Sequence, residues 1–256
     1  MHLTADILIL CAVAFVAGFV DAIIGGGGLI QTPTALVVLP QYPVATVIGT
    51  LKIPAISGTS LASLQYARNV RLNFKMLITM MIIAGSAAFA GSALLTVVSN
   101  SFMKPFILVV LVLVGIYTFW NTSFGIHSEK DHTQQQQWIY CIIISVVLGF
   151  YDGFIGPGAG SFLVLAFVSF LGFDFLKASA HAKFVNLSTN LGSICFFALK
   201  GKIIYSIALP MAVCNAIGGF LGARLAILKG NKFIRIFFLV IVCITILRFA
   251  YDVFFK

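Results

Sequence analysis

Two short stretches combine residues that rarely meet in an apolar segment. GFVDAIIGGGG at 18–28 and GFYDGFIGPGAG at 149–160 each place an aspartate, Asp21 or Asp152, a few residues before a glycine cluster. Two lysines, Lys52 and Lys183, interrupt equally apolar stretches, TLKIPAISGTS and AHAKFVNLSTN. Each glycine in a helix interior costs about 1 kcal/mol against alanine, and Pro157 lacks an N–H. Gly25, Gly26, Gly27 and Gly28, and Gly156, Gly158 and Gly160, should therefore break their helices. A break exposes the N–H groups that open the next helix, and with the helix dipole these favour an anion. Lysines at depth in an apolar chain add countercharge, or else neutralise the aspartates and tie the chain together. The chemistry these groups suit is the binding of a small anion.

The neighbours of the lysines are small and polar: Thr50, Ser57, Thr59 and Ser60 near Lys52, and His181, Asn186, Ser188, Thr189 and Asn190 near Lys183. Lys183, Asn186 and Asn190 fall on one helix face at spacings of three and four. Asn186 and Asn190 can donate to an oxyanion. His181 takes the place of Thr50; its titration range suits proton coupling or gating, and a structural hydrogen bond is the plainer role. Asp21 and Asp152 are candidates for coupling or gating, for lysine pairing, or for capping broken backbone.

These residues belong to a duplication. Asp152 follows Asp21 by 131 positions, and the same offset carries Gly18, Phe19, Gly25, Gly27, Lys52 and Gly91 onto Gly149, Phe150, Gly156, Gly158, Lys183 and Gly222 without a gap. Matched aspartates, glycines and lysines are not cheap coincidences in an apolar chain. An internal repeat with interrupted helices at equivalent positions is a mark of secondary transporters.

The elements that must position these groups follow from composition. The chain has 256 residues, 61% hydrophobic and 9% charged, against about 25% charged in soluble domains. Stretches such as 76–99, 105–126 and 203–223 carry at most one charge each, near or above the roughly 20 residues that span a bilayer. The expected fold is all-α: a polytopic helical membrane protein of two homologous halves. A first repeat covers 1–125, a polar linker 126–137 and a second repeat 138–256. Each half reads as a helix running into the glycine cluster (5–24 and 138–155) and a short re-entrant-like helix (29–40 and 160–172). The lysine-bearing helix (43–66 and 175–199) and two more spans (75–98 and 103–121; 203–228 and 233–252) complete it. A ~12-residue helix reaches only ~18 Å and does not cross. The expected arrangement is a pair of inverted repeats, although loop charges barely separate inverted from parallel. The Arg68, Arg71 and Lys75 loop is expected to face the cytoplasm.

The net charge of +9 sits at helix ends rather than in a patch, which excludes nucleic acid as a partner. Five scattered cysteines show no metal-ligand spacing, and neither a metal, a catalytic cofactor nor a catalytic triad is expected. Glycines at 84–91 and 217–223 read as close-packing positions between helices. Residues 7–20 lack the basic flank of a signal peptide, and their counterpart in the second half marks them as a repeat helix.

The aspartate–glycine break, the repeat and AHAKFVNLSTNLGSICFFALKGKI at 180–203 together resemble the sulfite exporter (TauE/SafE) family, also called the 4-toluenesulfonate uptake permease family. The resemblance spans essentially the whole chain, and the lysine segment is most similar to bacterial members of unassigned substrate. It implies a multi-pass carrier of the bacterial inner membrane for a small sulfur-containing anion such as sulfite, a sulfonate or sulfoacetate, without a catalytic cofactor. Leu51 stands where similar members carry Asn before the first lysine. The expected mechanism is alternating access about a central anion site, with the proton as a candidate coupling ion; a passive anion channel is the alternative. An intramembrane enzyme and a structural scaffold account less well for duplicated buried charges.

Overall fold

The computed structural model describes residues 3–103, 106, 109 and 133–255. Its helices are α1 (Leu3–Ile24), α2 (Gly27–Val38), α3 (Val44–Asn69), α4 (Phe74–Val97), α5 (Gln134–Phe154), α6 (Ala159–Leu171), α7 (Phe175–Leu199) and α8 (Tyr205–Phe255). α8 is broken at Gly230 (φ 68°, ψ −165°), near the expected gap between two spans. No strand occurs among the described residues. Apart from 103, 106 and 109, the expected span over 103–121 lies outside the described residues, as do residues 126–132 of the expected 126–137 linker.

The repeat is visible in where the helices start. α5, α7 and α8 begin 131 residues after α1, α3 and α4, and α6 begins 132 after α2. α5 starts four residues before the expected position, because Thr133 and Gln136 form a capping box that satisfies its first N–H groups. Asp174 caps α7 by accepting from Lys177 N at 2.9 Å, and Asn73 caps α4 by accepting from Met76 N at 3.3 Å.

Five described helical segments are long and apolar enough to cross a bilayer: Asp6–Ile24, Val44–Asn69, Phe74–Val97, Gln134–Phe154 and Tyr205–Ile234. α7 is long enough, with 25 residues, but the polar run from His181 to Asn190 keeps it out of that group. It is enclosed instead: nearly all of those side chains are buried by neighbouring helices. α4, α5 and α8 turn Ile82, Ile143 and Val213 outward, the exposed apolar face that lipid requires.

The halves interlock. α1 lies along α8 and α4 along α5, while α3 and α7 meet centrally and also contact α8 and α4. Glycines permit the close approach: a Cβ at Gly91 would strike the Phe150 backbone, and one at its repeat mate Gly222 would strike Phe19. α2 doubles back, since Ala35 and Leu39 at its end pack with Leu10 and Ala14 of α1 and with Val47 and Leu51 of α3. α6 does the same along α5, with the Phe170 and Tyr140 rings 5.8 Å apart. Both short helices turn back along the helix that precedes them.

α3 and α7 run in opposite directions. Thr50, near the start of α3, accepts from Ile204 N just beyond the end of α7 at 3.0 Å. His181, near the start of α7, takes Asn73 N just beyond the end of α3 at 3.5 Å. Thr50 and His181 are repeat mates performing one task, each pinning the turn that follows the other half's lysine helix.

Candidate functional site

The two helix breaks meet. Gly25 (φ 79°) closes α1, and Gly156 (φ 88°) and Gly158 (φ 81°) carry the chain from α5 to α6. Side chains with a Cβ rarely adopt such positive φ. Ser161 N donates to Gly25 O at 3.1 Å, and a Cβ at Gly160 would lie 2.7 Å from Gly25 Cα. Only glycine at both positions lets these backbones touch.

Ending a helix inside the protein strands its last carbonyls, and here side chains take them up. At α1, Ala22 O accepts from Tyr66 Oη at 3.0 Å, Ile23 O from Ser179 Oγ at 3.3 Å and Ile24 O from Ser161 Oγ at 3.0 Å. At α5, Asp152 O accepts from Lys52 Nζ at 2.8 Å and Gly153 O from Ser92 Oγ at 3.2 Å. Irregular backbone at membrane depth survives where protein satisfies it in this way.

The lysines pair across the halves. Lys52 Nζ lies 2.9 Å from Asp152 Oδ1, and Lys183 Nζ lies 2.9 Å from Asp21 Oδ2. The two bridges are repeat images of each other. Lys183 is fully buried, whereas the Asp21 side chain is 21% exposed. Thr189 Oγ donates to Asp152 Oδ2, and Thr59 Oγ approaches Asp21 Oδ2 at 3.5 Å.

Between the breaks lies a cavity of about 60 Å³, larger than the roughly 15 Å³ that one water requires. Asp21, Gly25, Gly27, Gly28, Lys52, Asp152, Gly156, Gly158, Gly160, Asn186 and Asn190 all border it. Asn190 Nδ2 donates to Asn186 Oδ1 at 2.7 Å, joining these two into one polar face of α7. Gly26, Lys183 and His181 are not in the wall. Gly26 turns toward Ser161 and Val20. Lys183 is engaged by Asp21, and His181 is held by Lys177 O at Nδ1 (2.8 Å) and by Asn73 N, against the Phe173 ring.

Three polar wall residues were missed in the sequence: Gln31 and Thr32 on α2 and Asn215 on α8. Asn215 Nδ2 donates to Gln31 Oε1 at 3.3 Å. The available signal was a lone amide in each of two apolar runs; neither has a polar mate in the other half, so the repeat did not flag them. Gln31 Nε2 is buried without a hydrogen-bond partner, a condition that costs about 1–3 kcal/mol.

A central cavity walled by two interrupted helices and two short helices is an arrangement that suits a membrane transport protein. The family described as sulfite exporter TauE/SafE matches residues 10–249, and the chain belongs to that family. It is 35% identical over 256 residues to a probable membrane transporter protein of Haemophilus influenzae, covering 98% of each chain. It is 34% identical over 247 residues to the probable membrane transporter protein YfcA of Escherichia coli K12, covering 95% of this chain and 89% of that one. A probable membrane transporter protein, ORF9, of a Sinorhizobium species is 33% identical over 234 residues, 91% of this chain and 87% of its own. No solved structure matches the chain. The family and these bacterial relatives are membrane transport proteins rather than enzymes, and the chain is a multi-pass protein of the bacterial inner membrane.

Proposed function

We propose that the chain exports a small sulfur-containing anion, of the sulfite, sulfonate or sulfoacetate type, by alternating access about the central cavity. The observation that carries this reading is the meeting of both glycine breaks at one cavity, with a repeat-related lysine–aspartate bridge from each half beside it. The N–H groups opening α2 and α6 at Gly27, Gly28, Gly158 and Gly160 bind the anion's oxygens, helped by the dipoles of both helices. Asn186 and Asn190 add amide donors. Lys52 borders the cavity and supplies countercharge when it leaves Asp152; Lys183 does the same from behind Asp21.

Each aspartate must hand over its lysine as the anion arrives, so Asp21 and Asp152 are the coupling or gating groups, with the proton as the coupling ion. His181 belongs to the gate rather than to the site, because it fastens the turn after α3 to α7.

We further infer that the halves cross the bilayer in opposite senses. What supports this is the opposed direction of the repeat mates α3 and α7 and the matching turn-back of α2 and α6. Inverted repeats of this kind offer two equivalent ways to open one site.

Proteoliposomes of the purified protein should take up radiolabelled sulfite, and then a labelled sulfonate, with saturation. Absence of flux for every sulfur anion overturns the substrate class. Conductance in planar bilayers far above carrier turnover overturns the carrier mechanism in favour of a channel.

A further inference from the structure

The scaffold around the cavity is two-fold in its backbone breaks and ion pairs, but the amides in its wall are not duplicated: Asn186 and Asn190 correspond to Ala55 and Thr59, and the pair Gln31 and Asn215 has no amide mate either. Gln31 on α2 corresponds to Phe162 on α6, and Asn215 on α8 corresponds to Ala84 on α4. Phe162 sets its ring edge-on to Tyr151 with centroids 5.5 Å apart, and Ala84 is filled by the close approach of Gly149. The repeat-related place, between Phe162 of the second half and Ala84 of the first, therefore offers no amide.

The orientation of the pair is set by what surrounds Asn215. Its Oδ1 rests against Gly18 and Gly58, where a Cβ on either glycine would collide with it. An amide oxygen tolerates Cα–H neighbours as weak donors, whereas an NH₂ group there would have no acceptor. Asn215 Nδ2 is thus left to face Gln31, and it donates to Oε1. With Oε1 used as acceptor, Gln31 Nε2 has no hydrogen-bond partner, although Gln31 is only 4% exposed. Gln31 and Asn215 both border the cavity.

A buried donor without an acceptor, beside a cavity also bordered by helix N-termini, matches a ligand that brings acceptors only. We propose that Gln31 is a specificity-determining residue: its Nε2–H donates to one oxygen of the transported oxyanion, and Asn215 is the positioning residue that holds the amide in that orientation. The proposal rests on the anion-transport reading above and adds to it that the anion binds off the pseudo-two-fold axis, toward α2.

The test is the concentration dependence of radiolabelled sulfite uptake in proteoliposomes of the wild-type protein and of Gln31→Met, Gln31→Glu and Asn215→Ala. Loss of one hydrogen bond to a charged ligand raises KM by about tenfold to a hundredfold. Gln31→Met is expected to show that rise with Vmax little changed; Tm should fall modestly, because the substitution also removes the Oε1 that accepts from Asn215 Nδ2. Asn215→Ala is expected to raise KM by less, and Gln31→Glu, which turns an acceptor toward the anion, to abolish uptake. If the methionine variant fails to fold, the glutamate variant, which keeps the shape, carries the test. Wild-type uptake with unchanged KM in Gln31→Met, or full uptake in Gln31→Glu, overturns the assignment of Gln31 alone. Wild-type protein that carries no sulfite overturns the transport reading and this assignment with it.

Discussion

Lys52 Nζ sits 2.9 Å from Asp152 Oδ1 and 2.8 Å from the same residue's carbonyl oxygen, so one ammonium group joins the third helix of the first half to the broken first helix of the second. It neutralises a buried carboxylate and caps an interrupted backbone together. Removing one member of such a pair leaves an uncompensated buried charge, which costs about 3–5 kcal/mol. Lys52→Gln should therefore lower Tm in detergent sharply, and Lys52→Gln combined with Asp152→Asn should recover part of the loss. A double variant no more stable than the single one would contradict the pairing.

The lysines are also assigned a transport role. Lys52→Gln together with Lys183→Gln should reduce sulfite flux by at least about tenfold, the equivalent of roughly 1.4 kcal/mol. The readout is initial uptake rate per correctly inserted protein. Undiminished flux would limit both lysines to a structural role.

The contact of the two breaks makes a graded prediction for glycine. Gly25 has φ 79° and a Cβ there would run into the backbone of Gly160 and Ser161, whereas Gly201 has φ 63° with nothing within 4 Å. Gly201→Ala should cost about 1 kcal/mol, for backbone strain alone. Gly25→Ala adds overpacking and should cost about 3 kcal/mol or more. Thermal unfolding of the two variants checks the ordering; equal losses would deny the close approach.

Opposed halves put the turn after α3 and the turn after α7 on opposite sides of the bilayer. Arg71→Cys and Lys200→Cys, each in a cysteine-free background, should react with a membrane-impermeant thiol reagent from opposite faces. By its basic residues the Arg68, Arg71 and Lys75 turn is expected to be the one labelled from the cytoplasmic face. Labelling of both from the same face would establish parallel repeats.

Much of this arrangement was legible before any coordinates, because the 131-residue offset runs without a gap through residue types that do not recur by chance. The breaks at Gly25 and Gly156 and the short α2 and α6 follow from it, while the grouping of Asn186 with Asn190 follows from helical spacing. Partner choice was not legible. Within-half and cross-half pairing of Asp21, Asp152, Lys52 and Lys183 look alike in sequence, and only the interlocking of helices decides between them. The common task of Thr50 and His181 was hidden because a hydroxyl and an imidazole share little beyond an acceptor atom. α7 was expected as the lysine-bearing helix of the second half, and its polar run is tolerable because its neighbours, not lipid, cover it. Gln31 and Asn215 escaped notice because they have neither a polar repeat mate nor, unlike Asn186 and Asn190, a lysine on the same helix face.

Alternating access about one central site is tested most directly by counterflow. Proteoliposomes loaded with unlabelled sulfite would be diluted into a trace of radiolabelled sulfite and compared with empty vesicles. The account predicts faster, transiently accumulating uptake into the loaded vesicles, because each outward passage of unlabelled anion returns the site to the outside. Uptake equal in loaded and empty vesicles, rising linearly with concentration, would contradict it and identify a pore.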